Sequence, residues 1–202
     1  YRPEWIVGPS VYADTAVFGR IYDQEQWQHA FGLSLIPARG TAEASGAYNL
    51  WVWQYGTPPP NNNYVVHIGP VSLLFTGINL AGPDLTPANF RDGMFRSGIS
   101  GGNPLAATIS FGKHGIWPNT TNDLGGADDG TLIWWNPTAK GKTEIGTDGT
   151  GLYEYVDGGK RYLPGKWPTS DPGLFDPAKS LTIYQSIPPE YAAPTYPSPA
   201  AK

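Results

Sequence analysis

The chain has 202 residues, a formal net charge of −4 and a sequence pI of about 5.3. This length accommodates one or two domains with a sizeable core, and the acidic balance without a basic block argues against nucleic-acid binding. The sequence contains no cysteine, which excludes disulfides, cysteine metal sites and thiol nucleophiles.

The first third of the chain predicts alternating strands and helices. Residues 4–7 predict a short strand that ends at small residues and leads into a helix over residues 16–22. A second strand is predicted over residues 31–37 and a further helix over residues 41–55, followed by a proline-rich loop. In open α/β sheets, the place where a strand hands over to a helix is where ligands bind.

The central stretch is uncharged from Tyr64 to Pro83 and predicts a buried helix pair over residues 64–96. Gly82 suits a left-handed C-cap, and Thr86 followed by Pro87 suits an N-cap with proline at the first helical position. One stripe of the first helix is apolar at helical spacing. Its members are Val71, Leu74, Phe75, Ile78 and Ala81.

The C-terminal half is richer in Gly, Asn, Asp and Pro. Residues 151–156 and 161–163 predict a hairpin that turns through residues 157–160. The other predicted elements are strands over 106–111, 131–135 and 181–184 and an extended proline-rich tail over 186–202.

Five short motifs, in this order and spacing, resemble the C-terminal half of a type I periplasmic solute-binding protein. The group is that of the branched-chain amino-acid and amide-binding proteins of ABC importers. The motifs are residues 5–10 (WIVGPS), 32–37 (GLSLIP), 78–82 (INLAG), 85–90 (LTPANF) and 110–112 (SFG). The aromatic region from Trp134, with GGKRY at 158–162, looks like a branch found in actinobacterial cell-envelope members.

The resemblance implies an α/β fold made of portions of two Rossmann-like lobes, with an irregular β-rich, Gly/Pro-rich C-terminal region. Residues 1–37 would end lobe two, 38–108 would end lobe one, 109–185 would return to lobe two, and 186–202 would form the tail. The crossovers between lobes would lie near residues 33–37 and 108–111.

The loop after the first strand carries the first candidate ligand residues, Ser10, Tyr12 and Asp14. In the family this loop faces the cleft, and some members hold the ligand ammonium with an acidic residue close to the Ser10 position. Asp14 would supply that charge here, or it caps the following helix. Tyr64 and His67 are the lobe-one candidates, as donors to a ligand carboxylate or as hinge residues; a core histidine is the alternative for His67.

Residues 122–129 concentrate oxygen-bearing side chains, and such loops can bind calcium, here through Asp123, Asp128 and Asp129. The alternative is an ordinary turn with capping aspartates, since the spacing matches no EF-hand. No other cofactor is expected.

The aromatic residues of the C-terminal region offer either a stacking surface for sugars or a core for a lobe with little aliphatic residue. They are Trp134, Trp135, Tyr153, Tyr155, Tyr162 and Trp167.

The resemblance implies a non-catalytic solute-binding component of an ABC importer, which clamps a small polar solute such as an amino acid or amide and docks on the permease. It would lie outside the cytoplasm in the cell envelope, as a lipoprotein or periplasmic-type protein. The other half of the clamp would be a further part of the same protein or a separate chain. A structural or carbohydrate-binding envelope protein is the main alternative and an extracellular hydrolase the third, although the sequence contains no motif of a common catalytic site.

Overall fold

The computed structural model describes residues 2–9, 12–62, 64–118 and 120–192, and for residues 64–66 the backbone alone. Its strands are β1 (Trp5–Val7), β2 (Ala30–Ser34), β3 (Ile109–Gly112), β4 (Asp123–Ala127), β5 (Gly130–Lys142), β6 (Asp148–Val156), β7 (Arg161–Tyr162) and β8 (Ser180–Leu181). Its α-helices are α1 (Ala16–Gly19), α2 (Gln24–Trp27), α3 (Gly46–Tyr55), α4 (Tyr64–Ala81) and α5 (Pro87–Arg96). The protein is therefore mixed α/β, as the sequence predicts, and most of its core lies in a sheet.

The main sheet has the order β1-β2-β5-β6-β8, with β7 also paired to β5. Strands β1 and β2 are parallel, with Val7 opposite Gly32, and α1 and α2 form the crossover between them. The other pairings in this sheet are antiparallel. Strands β3 and β4 form a separate antiparallel pair, so the strand predicted near residues 106–111 lies outside the main sheet.

The core lies between the sheet and the two crossover helices. Trp135 and Tyr153 are fully buried and meet edge to face, with ring centroids 5.0 Å apart. Gly19 of α1 lies directly against the Trp135 ring, where a Cβ would overlap it. Helix α1 can therefore approach the sheet closely because this position lacks a side chain.

The predicted hairpin between residues 151–156 and 161–163 is wrong. Both β6 and β7 pair antiparallel with β5, Tyr155 opposite Ile133 and Arg161 opposite Thr131, so they run in the same direction. Between them, Asp157 and the two glycines after it have successive positive φ values of 49°, 63° and 81°. This backbone bulges out and rejoins the same ladder, whereas a hairpin turn would have reversed the chain.

The predicted ends of the helix pair are confirmed. Gly82, at φ 74°, follows the last residue of α4, and the Thr86 side chain accepts a hydrogen bond from Asn89 N at the start of α5. Phe90 of α5 lies against Gly77 of α4, which brings the two helices close together. The helix predicted over residues 41–55 begins later, at α3, after a 3-10 turn at Ala42–Ala44.

The predicted burial of this helix pair is wrong for most of α4. Leu74 and Phe75 are 52% and 64% exposed, and Val71 is exposed as well. Helix α3 has no buried residue, and Leu50 and Trp53 on it are exposed. An uncharged apolar sequence predicts burial only where the chain also supplies a covering surface, and the described residues leave Leu74 and Phe75 largely uncovered.

Candidate functional site

The carboxyl ends of β1 and β2 meet at one edge of the sheet because the two strands are parallel. Ser34, the last residue of β2, donates a hydrogen bond from Oγ to Asp14 Oδ2 at 2.7 Å. Asp14 is only 7% exposed, and burial raises the pKa of its carboxyl group against the opposing effect of the Ser34 hydrogen bond. The capping role considered for Asp14 is wrong, because the N-cap of α1 is Thr15.

Tyr12 lies in the same loop but faces solvent, with 58% of its surface exposed. Its φ is 63°, a conformation that costs a non-glycine residue about 1–3 kcal/mol. The turn is held by Thr15, whose backbone N and Oγ1 both donate to Tyr12 O at 2.9 and 2.7 Å. The Tyr12 ring stacks on Phe18 of α1, with centroids 6.3 Å apart and planes 11° from parallel. Ser10, the third candidate in this loop, lies outside the described residues.

Glu144, which lies 128 residues after Ala16, caps the start of α1. Its carboxylate accepts hydrogen bonds from Ala16 N at 3.0 Å and Val17 N at 3.3 Å. Arg39 Nη2 donates to the same carboxylate at 2.9 Å, and both partners are largely buried. This arrangement satisfies the first amides of the helix and balances the charge of the arginine.

Arg39 is the centre of a junction between three chain segments. Its Nη1 donates to Thr182 O at 3.1 Å, and its guanidinium lies 5.7 Å from the centroid of the Tyr155 ring. Burial tends to lower the pKa of Arg39, but the facing Tyr155 and Glu144 outweigh it and the net shift is upward. The arginine therefore remains charged.

The chain leaves the sheet and returns to it through neighbouring segments. Ala38 N donates to Pro104 O at 2.8 Å, so the outgoing and returning segments are hydrogen-bonded to each other. Tyr184 N donates to Arg39 O at 2.8 Å, and Thr41 N donates to Tyr184 O at 3.0 Å. Helices α3, α4 and α5 thus form one excursion from the sheet, between Ala38 and Pro104.

His67 is exposed on the first turns of α4, so the core-histidine alternative is wrong. The side chain of Tyr64 lies outside the described part of the chain. Among the described contacts, none joins His67 to Tyr12 or Asp14. The structure therefore places Asp14 and Tyr12 in one loop, and no described contact brings His67 to them.

The three aspartates of the predicted calcium site are buried and lie in or next to β4, not in a flexible loop. Ser110 Oγ lies 2.6 Å from Asp128 Oδ2 and 3.4 Å from Asp123 Oδ2, and Trp117 Nε1 donates to Asp128 Oδ1 at 2.7 Å. Burial raises the pKa of Asp128 despite the Ser110 and Trp117 hydrogen bonds, and the neighbouring Asp123 raises it further.

Asp129 has different hydrogen-bond partners from Asp123 and Asp128. Arg161 Nε and Thr108 N donate to Asp129 Oδ1 at 2.7 and 3.0 Å, and Thr108 Oγ1 donates to Oδ2. Within the described ranges, no group of three or more His, Cys, Asp or Glu side chains is arranged to hold a metal ion. Calcium binding stays a prediction, and Asp129 has a structural partner in Arg161.

The aromatic residues of the C-terminal region divide into two sets. Trp134, Trp135, Tyr153 and Tyr155 are buried, so the core interpretation is confirmed for them. Trp167 is exposed and Tyr162 is half-buried, with ring centroids 6.2 Å apart. A shallow cavity of about 300 Å³ is lined there by Asp157, Tyr162, Pro168, Ser170, Pro172 and Lys179.

Sequence reasoning does not predict two ion pairs of this region, Arg39–Glu144 and Arg161–Asp129. Their partners are 105 and 32 residues apart, so neither helical nor strand spacing connects them. The available signal is composition: a buried charge is almost always paired, and this chain has few charges.

Comparison with family models, curated proteins and solved structures gave no match to this chain. In the described residues, no helix is both long and apolar enough to span a membrane.

Proposed function

We propose that this chain is part of the extracytoplasmic solute-binding component of an ABC importer. Two Rossmann-like lobes would close around a small polar solute, such as an amino acid or amide, and the closed form would dock on the permease. Solute binding and lobe closure involve no covalent chemistry. The proposed location is the cell envelope, with a lipid anchor or in a periplasmic-type compartment.

The observation that carries the proposal is the paired connection between the sheet and the helices. A two-lobed clamp needs connecting segments that run side by side, because closure requires both to bend about one axis. Ala38 and Pro104, which are hydrogen-bonded, provide such a pair. The loop that carries Tyr12 follows the carboxyl end of a strand in a parallel pair, where α/β proteins bind ligands.

The exposed apolar surfaces are a second argument that the clamp has a further part. Phe75 and Leu74 of α4 face outward, and Ile6 on the edge strand β1 is 80% exposed. Contiguous exposed apolar surface marks a place where another polypeptide surface packs. We propose that the remainder of the two lobes covers these faces, as a further part of the same protein or as a separate chain.

A thermal-shift titration of the complete protein against small amino acids and amides tests the function. A ligand that binds only the folded state stabilises it by about 2.7 kcal/mol at a concentration of 100 times Kd. The proposal expects a saturable shift with at least one member of the panel. A flat response to every amino acid and amide, with native mass spectrometry showing one intact and unaccompanied chain, would refute it.

Carbohydrate binding at the surface aromatics is the second candidate function. The cavity beside Tyr162 presents the Asp157 carboxylate and the Lys179 ammonium next to an aromatic ring. Sugars are bound by such combinations of ring stacking and polar groups, and the volume suits one sugar ring. A thermal shift with glycans, abolished by Tyr162→Ala and absent with amino acids, would favour this function over solute transport.

A further inference from the structure

The loop after β1 presents an aromatic ring at the sheet edge where the proposed clamp holds its solute. Tyr12 is exposed although its ring is apolar, and its backbone adopts a left-handed conformation that glycine would accept without strain. Strained residues persist where surrounding interactions hold them in place, and they cluster at ligand sites. Two hydrogen bonds from Thr15 to Tyr12 O provide that restraint.

Phe18 makes the Tyr12 ring a fixed platform. The two rings lie almost parallel, with planes 11° apart and centroids 6.3 Å apart, so Phe18 packs against the tyrosine ring. The phenylalanine belongs to α1, which is anchored through Glu144. A ring held in this way is already in position to stack against a ligand, which lowers the entropy cost of binding.

The carboxylates near this platform are already used. Asp14 accepts the hydroxyl hydrogen bond of Ser34 and is almost fully buried. Glu144 accepts from the backbone amides at the start of α1 and pairs with Arg39. Both carboxylates therefore have partners within the protein, and the buried Asp14 is poorly placed to bind the ammonium group that the family resemblance would otherwise assign to this loop.

We propose that the solute presents a flat or apolar group to the Tyr12–Phe18 platform, and that Asp14 does not bind a solute ammonium. The inference rests on the proposed solute-binding function and narrows its substrate class. It favours neutral amides with an aromatic or bulky apolar group over small zwitterionic amino acids.

The test is a thermal-shift and calorimetric panel on the complete protein. The probes are benzamide, cyclohexanecarboxamide, acetamide, L-alanine and L-leucine. We expect benzamide to bind at least tenfold more tightly than acetamide and L-alanine. Tyr12→Phe should keep its affinity within threefold, and Tyr12→Ala should lose about tenfold, since aromatic stacking contributes on this scale. Asp14→Asn should change affinity less than twofold.

Tyr12→Gly separates a ligand role from a structural one. Glycine accepts the positive φ, so this variant should melt no lower than Tyr12→Ala while binding benzamide equally weakly. Tight binding of L-alanine or L-leucine that is lost in Asp14→Asn would overturn the inference and leave solute binding intact. Equal benzamide affinity in wild type and Tyr12→Ala would also overturn it. No binding to any probe, or to the wider amino-acid and amide panel, would refute solute binding itself.

Discussion

Glu144→Ala removes the carboxylate on which the junction between α1 and Arg39 depends. The variant leaves the Arg39 guanidinium buried, with the carbonyl of Thr182 and the Tyr155 ring as its remaining described partners. Breaking a buried ion pair by removing one partner costs about 3–5 kcal/mol, because the other charge stays in a poorly solvated site. The amides of Ala16 and Val17 also lose their acceptor. We therefore expect a loss of about 4 kcal/mol of unfolding free energy.

Urea unfolding of the complete protein, followed by tryptophan fluorescence, measures this loss. With a slope of about 2 kcal/mol per molar urea, the midpoint should fall by about 2 M. Lys142→Ala is the matched control on the same β5–β6 hairpin. It breaks the Lys142–Asp148 pair, whose side chains are 62% and 75% exposed, and exposed pairs contribute about 0–1 kcal/mol.

A double-mutant cycle completes the test. The double variant Arg39→Met/Glu144→Gln lacks both charges. Its loss of unfolding free energy should be smaller than the sum of the losses in Arg39→Met and in Glu144→Gln by at least about 1 kcal/mol. Additive losses, or a Glu144→Ala cost no larger than that of Lys142→Ala, would refute the account of Arg39 as a buried charge balanced by Glu144.

Three further predictions follow from the packing and burial. Gly32→Ala should lower the free energy of unfolding by about 1–3 kcal/mol in urea, because its Cβ would overlap the backbone of β1. The control Gly8→Ala, which has open space around it, should change that free energy by no more than about 0.5 kcal/mol. Equal effects would contradict the pairing register of β1 with β2. Asp128 holds its proton more tightly when folded, so its contribution to stability falls as pH rises from about 4 through its raised pKa. The difference in unfolding free energy between wild type and Asp128→Asn should therefore shrink over that pH range. A difference that grows with pH would mean that folding lowers the pKa of Asp128 instead. The Leu74→Ser/Phe75→Ser double variant should change the melting temperature of this chain little, because both side chains are exposed; a large drop would mean that the two side chains are buried.

The elements of the fold that depend on local chemistry are predictable from the sequence. Gly82 ends α4 and Thr86 with Pro87 begins α5, because cap preferences act within a few residues of the chain. The strand–helix–strand order of the first 37 residues also follows from local patterns. The hairpin predicted after residue 156 fails, because three successive left-handed residues produce a bulge that sequence signals do not distinguish from a turn.

The parts that depend on distant partners are not predictable in this way. Asp14 reads as a helix cap because it precedes α1, yet its carboxylate meets Ser34, and the acceptor for the α1 amides is Glu144 from 128 residues away. The burial of α4 was inferred from its own composition. Burial, however, is a relation between two surfaces, and Phe75 faces a side that the described chain does not cover.

The Arg39 junction determines where a clamp built on this chain would bend. Arg39 is fixed to the sheet by Glu144 and by the carbonyl of Thr182, so the outgoing segment is rigid up to that residue. Gly40 comes next, and the chain there is held by the backbone hydrogen bonds of residues 39–41 to Tyr184 and by Thr41 Oγ1, which donates to Gln185 O at 3.3 Å. In the proposed function the outgoing segment therefore bends just beyond Arg39, next to the Ala38–Pro104 pair. Loss of the Glu144 contact would loosen the hinge as well as the sheet, so the open and closed forms should become less distinct in the variants that the unfolding experiment already requires.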